Sequence, residues 1–209
     1  ARTLMAKPGW PVRLEHPPVS LRPVRRSDEA AWTRIRSSDP QWFRRWDSTR
    51  PPKSSDPTYT FAQLVRMMDR RAKAGLALPW AVDFTPPGEP PRFVGQVTVS
   101  GIQRGSAGWA QIGYWIDPAW AGRGIIPTAV ALAVDHCFAI GLHRIEIAIR
   151  PENTNSLAVV HKLGFRLEGR RERFMHVNGA WRDHDMFVLT AEEVSDSVLG
   201  AYLRGREQG

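Results

Sequence analysis

A single mixed α/β domain is the fold that the sequence predicts, and three observations predict it. Strand-like runs separated by turn residues fill the middle of the chain at "ALPWAVDF", "RFVGQVTVSGI" and "AQIGYWID", as in an antiparallel meander. A long apolar segment follows with helical spacing, through Ile126, Val130, Ala133, Val134, Cys137 and Phe138, and leads to the alternating strand "HRIEIAI". Last, "FRLEGRRERFMHVNGAWRDHDMFVLT" reads as two strands joined at Asn178–Gly179, the dipeptide that suits a tight primed hairpin turn.

Taken in order, the chain opens with a proline-rich arm over 1–18, and a domain is expected over 19–190. "VSLRPV" is the first strand, and "SDEAAWTRIRSS" a helix with Ser27 as its candidate N-cap and acidic residues in its first turn. "DPTYTFAQLVRMMDRRAKAG" is a longer helix that Gly75 stops. After the meander and the long helix, which Gly141 ends, "NTNSLAVVHKLG" is a short helix capped by Asn153 and closed by Gly164. Residues 191–209 read equally as a tail or a helix.

Composition narrows the function classes. The 209 residues suit one domain with a sizeable core, and 42% apolar with 24% charged residues is a globular balance. The single cysteine, Cys137, forms no internal disulfide, and nothing else supplies a metal-ligand cluster. No apolar run nears the roughly 20 residues that a membrane span needs, and the first ten residues lack a signal-peptide core. A cytoplasmic protein without a metal or a membrane is therefore expected. Lysine plus arginine exceed aspartate plus glutamate by 29 to 21, a net charge of +8 that suits anionic partners such as a phosphorylated cofactor, RNA or an acidic protein. The arginines are spread along the chain, as a solvated surface would have them, and no RNA-binding module is interleaved among them.

The stretch "AGRG" carries the chemistry. Gly122 and Gly124 straddle Arg123, and Pro127 suits the first turn of the helix that follows. A glycine-relaxed backbone entering a helix N-terminus presents free N–H groups and the positive end of the dipole, which suits an anion. From these residues alone an ordinary tight turn stays equally open.

In sequence, "QIGYWID", "AGRG", a helix, "HRIEIAI", "NTNSLAVVHKLGF" and "VNGAWRDHDMFVL" resemble a Gcn5-related N-acetyltransferase (GNAT), most closely of the RimJ/RimL branch that acetylates α-amino groups of ribosomal proteins. The resemblance runs from Val19 to Thr190. It implies a GNAT fold, with a mostly antiparallel sheet of about seven strands, flanking helices and a splayed parallel strand pair formed by "QIGYWID" and "HRIEIAI". It implies acetyl-CoA as cosubstrate, its pyrophosphate wrapped by Ala121, Gly122, Arg123, Gly124, Ile125 and Ile126. Ala121 and Ile126 depart from the preferred types, and Ile126 is large beside a phosphate. Pantetheine contacts are carried over to Trp115, Ile116, Asp117, Asn153 and Asn155, with a backbone N–H near Trp115 or Ile116 facing the developing oxyanion.

Ser156, the serine of "NTNS", is the implied acid for the leaving thiolate; helix capping is the alternative. The tyrosine that many other branches use falls at Val160. The branch's glutamate base falls at Met175, which leaves His176, Glu172, Asp183 or a water. A protein α-amine, with pKa near 8, needs less help from a base than a lysine near 10.4. Trp42 and Trp46 are expected on the acceptor side. The implied substrate is a protein N-terminus, in the first place a ribosomal one, with nucleic acid met only through ribosome docking. Two other readings stay open: acetylation of a small amine such as an antibiotic or polyamine, and a non-catalytic acyl-CoA-binding module.

Overall fold

The computed structural model describes residues 9–207. The first eight residues of the expected arm and the last two of the expected tail lie outside the described residues. Eight strands form one sheet: β1 (Leu14–His16), β2 (Val19–Pro23), β3 (Leu78–Phe84), β4 (Arg92–Gln103), β5 (Trp109–Ile116), β6 (Arg144–Ile149), β7 (Arg166–Val177) and β8 (Ala180–Thr190). Their spatial order is 1-2-3-4-5-6-8-7. Only β5 and β6 run parallel; every other neighbouring pair is antiparallel. This is the expected mixed sheet, with β1 adding an eighth strand from within the proline-rich segment. The last hairpin turns at Asn178 and Gly179, both with positive φ (49° and 78°), as a primed turn requires.

The helices are α1 (Glu29–Ser38), α2 (Pro40–Arg44), α3 (Phe61–Lys73), α4 (Ile125–Ala139), α5 (Thr154–Lys162) and α6 (Val198–Glu207). Thr60 caps α3 by accepting from the Gln63 N–H, and Gly75, at φ 73°, follows the helix. The expected cap at Ser27 is not used. Arg26–Asp28 forms a 3₁₀ turn, and Asp28 takes the N-cap position of α1 with its carboxylate turned inward. The five-residue α2 escapes any periodicity argument, although Asp39 caps it and Pro40 opens it.

Two apolar cores cover the two faces of the sheet. The larger gathers Trp80, Val82, Val97, Ile112 and Ile147 under α4, α5 and α6. The smaller joins Ile35, Phe43, Phe61 and Val65 of α1–α3 to Ala81 and Phe93. Helix α4 is apolar on nearly every side because it is covered on both: the sheet lies beneath it and α6 packs over it. The Asp135 carboxylate of α4 accepts from the Val198 and Leu199 N–H groups (2.7 and 3.1 Å), capping α6 across the interface. The open question over 191–209 is thereby answered for the described part as a docked helix.

A buried ion network ties α1 to the sheet. Arg22 on β2 donates to both oxygens of Asp83 on β3 (2.6 and 3.0 Å) and to both of Asp28 (2.9 and 2.8 Å). Burial works against the Arg22 charge, but the hydrogen bonds and fields of the two carboxylates outweigh it and raise its pKa. Removing one partner leaves a buried charge uncompensated. Asp83→Ala is therefore expected to lower stability by about 3 kcal/mol in urea denaturation, whereas an alanine at the exposed ion-pair residue Glu89 should change it by less than about 0.5 kcal/mol.

Candidate functional site

The site begins where two strands part. β5 and β6 are paired only from Trp109–Gln111 to Arg144–Glu146. Beyond that, β5 follows β4 through Ile116, while β6 follows β8 through Ile149. A register shift where Val82 and Asp83 face Gly95 and Phe93 bulges Val94 out of the ladder beside the end of β5. There the Asp117 N–H donates to the Val94 carbonyl (2.7 Å), and the Trp115 carbonyl presses on Gly95. The alternate residue, Ile116, turns its carbonyl the other way, where Trp42 Nε1 donates to it (3.2 Å). The N–H of a strand residue lies on the same edge as its carbonyl, so the Ile116 N–H faces the gap.

The gap is a cleft of about 390 Å³. Its floor is Gln96 and Thr98 of β4 with Gly113 to Ile116 of β5; one wall is Ala121, Gly122 and Gly124 to Pro127. Asn153, Asn155, Ser156 and Lys162 form a second wall, and Trp42, Phe43, Trp46 and Asp47 close the far side. A more polar cavity continues past Trp42 and Trp46, between Asp39, Arg45, Arg150, Glu152 and Asn178.

The glycine turn has the geometry that an anion needs. Gly122 and Gly124 both have positive φ (77° and 76°), and Gly124 is the N-cap of α4. The first intrahelical bond is that of the Thr128 N–H to Gly124, so the earlier N–H groups of the turn and helix have no helical partner. Ile126 does not crowd the turn, because its side chain belongs to the core beneath. Arg123 stacks its guanidinium over Trp120 (4.7 Å), while Tyr202 and Arg206 of α6 lie against the outer face of Gly124. With Arg123 and Arg206 beside it, the turn is a basic end that fits a polyphosphate.

Across the cleft, the Asn153 side chain accepts from the Ser156 N–H (3.2 Å) and caps α5. That leaves the Ser156 hydroxyl unneeded for capping. Tyr114 reaches from β5 toward the Ser156 carbonyl (3.5 Å), and burial pushes its phenol up to about 12, so it stays protonated. On the acceptor side, Arg150 lies over Trp46 (5.4 Å) and donates to the Arg45 carbonyl, which fixes that indole.

The structure thus brings together Trp42, Trp46, Trp115, Ile116, Ala121, Gly122, Gly124, Ile125, Ile126, Asn153, Asn155 and Ser156. Arg123 sits on the rim of the turn, and Asp117 is buried, accepting from the Ala119 N–H. His176 lies outside the lining: its Nδ1 is 2.8 Å from Thr49 Oγ1 and its ring stands edge-on to Trp181. Of the other base candidates, Asp183 accepts from the Arg173 N–H, and neither it nor Glu172 reaches the lining. Tyr114 also lines the cleft and goes unnoticed in the sequence, although it lies inside the quoted "GYWID", as does Asp47, which reaches the cleft in the chain just after α2.

Residues 19–166 match the sequence profile of the acetyltransferase (GNAT) domain. The chain belongs to the GNAT family. This GNAT domain superposes on a structure of Mycobacterium smegmatis RimJ in complex with CoA-disulfide with a TM-score of 0.84 and 36% identity, over 94% of this chain and 96% of that one. The probable N-acetyltransferase YjcK of Bacillus subtilis is 40% identical over 99 residues, 47% of this chain and 55% of YjcK. The ribosomal protein uS5-alanine N-acetyltransferase of Escherichia coli is 30% identical over 102 residues, 48% of this chain and 53% of that protein. The chain spans about half the length of these two sequence relatives. Among the described residues, no helix is long and apolar enough to cross a membrane, and no group of three or more His, Cys, Asp or Glu gathers to hold a metal.

Two glycine substitutions test the geometry of this GNAT turn. A methyl on Gly122 meets nothing within 4 Å, whereas one on Gly124 lies 3.0 Å from the Tyr202 hydroxyl and 3.3 Å from Arg206. Both alanines carry the left-handed backbone cost of about 1–2 kcal/mol. Gly124→Ala is expected to be the less stable of the two in urea denaturation, because only there must the ends of the Tyr202 and Arg206 side chains shift.

Proposed function

We propose that this GNAT domain is an acetyl-CoA-dependent N-acetyltransferase that acts on the α-amino group of a protein N-terminus, a ribosomal protein being the first candidate. One observation carries the reading. A single cleft runs from a phosphate-suited glycine turn, through the strand splay, to an aromatic acceptor side that opens into a polar groove. The two ends admit two substrates from opposite sides, which suits direct attack in a ternary complex.

In this reading the turn at 121–126 and Arg123 hold the pyrophosphate, and Trp115, Ile116, Asn153 and Asn155 line the path of the pantetheine, while the buried Asp117 shapes the turn after β5 instead of touching it. The Ile116 N–H faces the thioester oxygen as it gains charge. The Ser156 hydroxyl protonates the departing sulfur. Trp42 and Trp46 flank the entering N-terminus, and the polar groove takes the residues behind it. The naming of the E. coli relative for ribosomal protein uS5 supports a ribosomal substrate. The net charge of +8 suits docking beside ribosomal RNA in the cytoplasm.

The test is mass spectrometry of peptides incubated with the protein and acetyl-CoA. Ala-, Ser- and Met-starting ribosomal N-termini would be compared with N-blocked versions bearing an internal lysine, beside free polyamines and aminoglycosides. Acetylation confined to free α-amines is expected. Turnover confined to small amines would replace this reading with the small-molecule one, and cofactor binding without any product would favour a binding module. Ser156→Ala should then lower kcat by about 10²-fold, with acetyl-CoA affinity in calorimetry changed less than about twofold.

A further inference from the structure

We infer that Asp47 is the group that receives the attacking amine and takes its first proton. The inference rests on the reading of the cleft as an acetyltransferase site for a protein α-amine, and it supplies a base where Met175 leaves none.

Among the described residues, Asp47 is the one carboxylate that lines the cleft itself, Asp39 and Glu152 lying in the polar groove beyond Trp42 and Trp46. It stands on the acceptor side with Trp42 and Trp46, and its side chain is 34% exposed. Arg36 pairs with its Oδ2. That guanidinium is itself held over Phe43 (4.3 Å), near Trp115 (5.3 Å) and Trp32 (5.6 Å). The chain just beyond Asp47 is pinned as well: the Thr49 N–H donates to the His176 carbonyl (2.8 Å), and Ser48 bridges Val177. A carboxylate oriented by an aromatic-clamped arginine and a tethered backbone is fixed in place before any substrate arrives. The remaining exposed edge faces a cleft otherwise lined, on this side, by indoles and a phenyl ring.

The chemistry matches a cation. A protein N-terminus arrives largely as an ammonium, and a fixed anion at the aromatic mouth both attracts and orients it. Burial raises the Asp47 pKa more than the Arg36 charge and hydrogen bond lower it, which brings the carboxylate closer to an amine. The ammonium gives one proton to Asp47, which passes it to solvent. The freed nitrogen lone pair forms the C–N bond at the thioester carbonyl. Collapse breaks the C–S bond, and the second nitrogen proton reaches the sulfur by way of the Ser156 hydroxyl. The products are an amide, a neutral thiol and one released proton. A lysine amine near 10.4 would hold its proton against Asp47 far more strongly than an α-amine near 8.

The test is two-substrate kinetics with the best peptide of the panel, for wild type, Asp47→Asn and Asp47→Glu, with acetyl-CoA affinity measured by calorimetry. Asp47→Asn is expected to raise the peptide KM at least about tenfold and to lower kcat by a further factor of about ten or more. Acetyl-CoA affinity should stay within about twofold, and Asp47→Glu should recover part of the loss. Peptide constants within twofold of wild type in Asp47→Asn would overturn the inference. Should that variant lose acetyl-CoA binding, wild type alone decides, through its affinity, with CoA present, for the peptide and for the same peptide with its α-amine replaced by hydrogen. At least tenfold tighter binding of the amine is expected, and equal binding overturns the assignment. Wild type that acetylates no α-amine overturns the underlying reading, and this inference with it.

Discussion

The parting of β5 from β6 after three paired residues is the constraint on which the rest of this structure depends. A sheet interrupted in its middle leaves backbone N–H and C=O groups without partners, and each must find one or face a ligand. Here the Trp42 indole satisfies the Ile116 carbonyl, and the Ile116 N–H is left toward the cleft. The bulge at Val94 holds the parting open by turning Trp115 and Asp117 onto β4. Both strands stay paired on their outer sides, β5 with β4 and β6 with β8.

Everything else is arranged around that gap. α4 brings its N-terminus and the glycine turn to one side, and its burial between the sheet and α6 keeps the turn from shifting. α5 brings Ser156 to the opposite wall, with Asn153 fixing its first turn. α1 and α2 close the acceptor side, and the buried Arg22 network holds α1 against β2 and β3. The charges divide accordingly: Arg123 and Arg206 sit near the turn, while the far end carries Asp47 on the cleft and Asp39 and Glu152 in the groove beyond it. A polyanion at one end and a cation at the other is the arrangement that an acyl transfer from acetyl-CoA to an ammonium requires.

Much of this is legible in the residue pattern, and the boundary is physical. Strands and helices carried by strong periodicity are read correctly, as are the Gly75 stop, the Asn153 cap and the Asn178–Gly179 turn, because each depends on neighbours in sequence. α2 is too short to show a period, so Asp47 could not be placed on the cleft from sequence. Ser27 fails as a cap because Asp28 answers to Arg22, six residues before it, whose guanidinium is held in place by Asp83 from 61 residues away. His176 reads as titratable and available, but Thr49, 127 residues away, occupies its ring. Contacts made through space decide the cases of Ser27 and His176, and a single sequence does not display them.

The most direct measurement is a crystal structure of the protein with CoA and an N-acetylated ribosomal peptide bound together. The account predicts pantetheine between β5 and β6, phosphates on the turn at 121–126, the sulfur beside Ser156, and the peptide entering past Trp42 and Trp46 with its acetylated nitrogen beside Asp47. Phosphates bound elsewhere, or a peptide that enters from the same side as the cofactor, would contradict it.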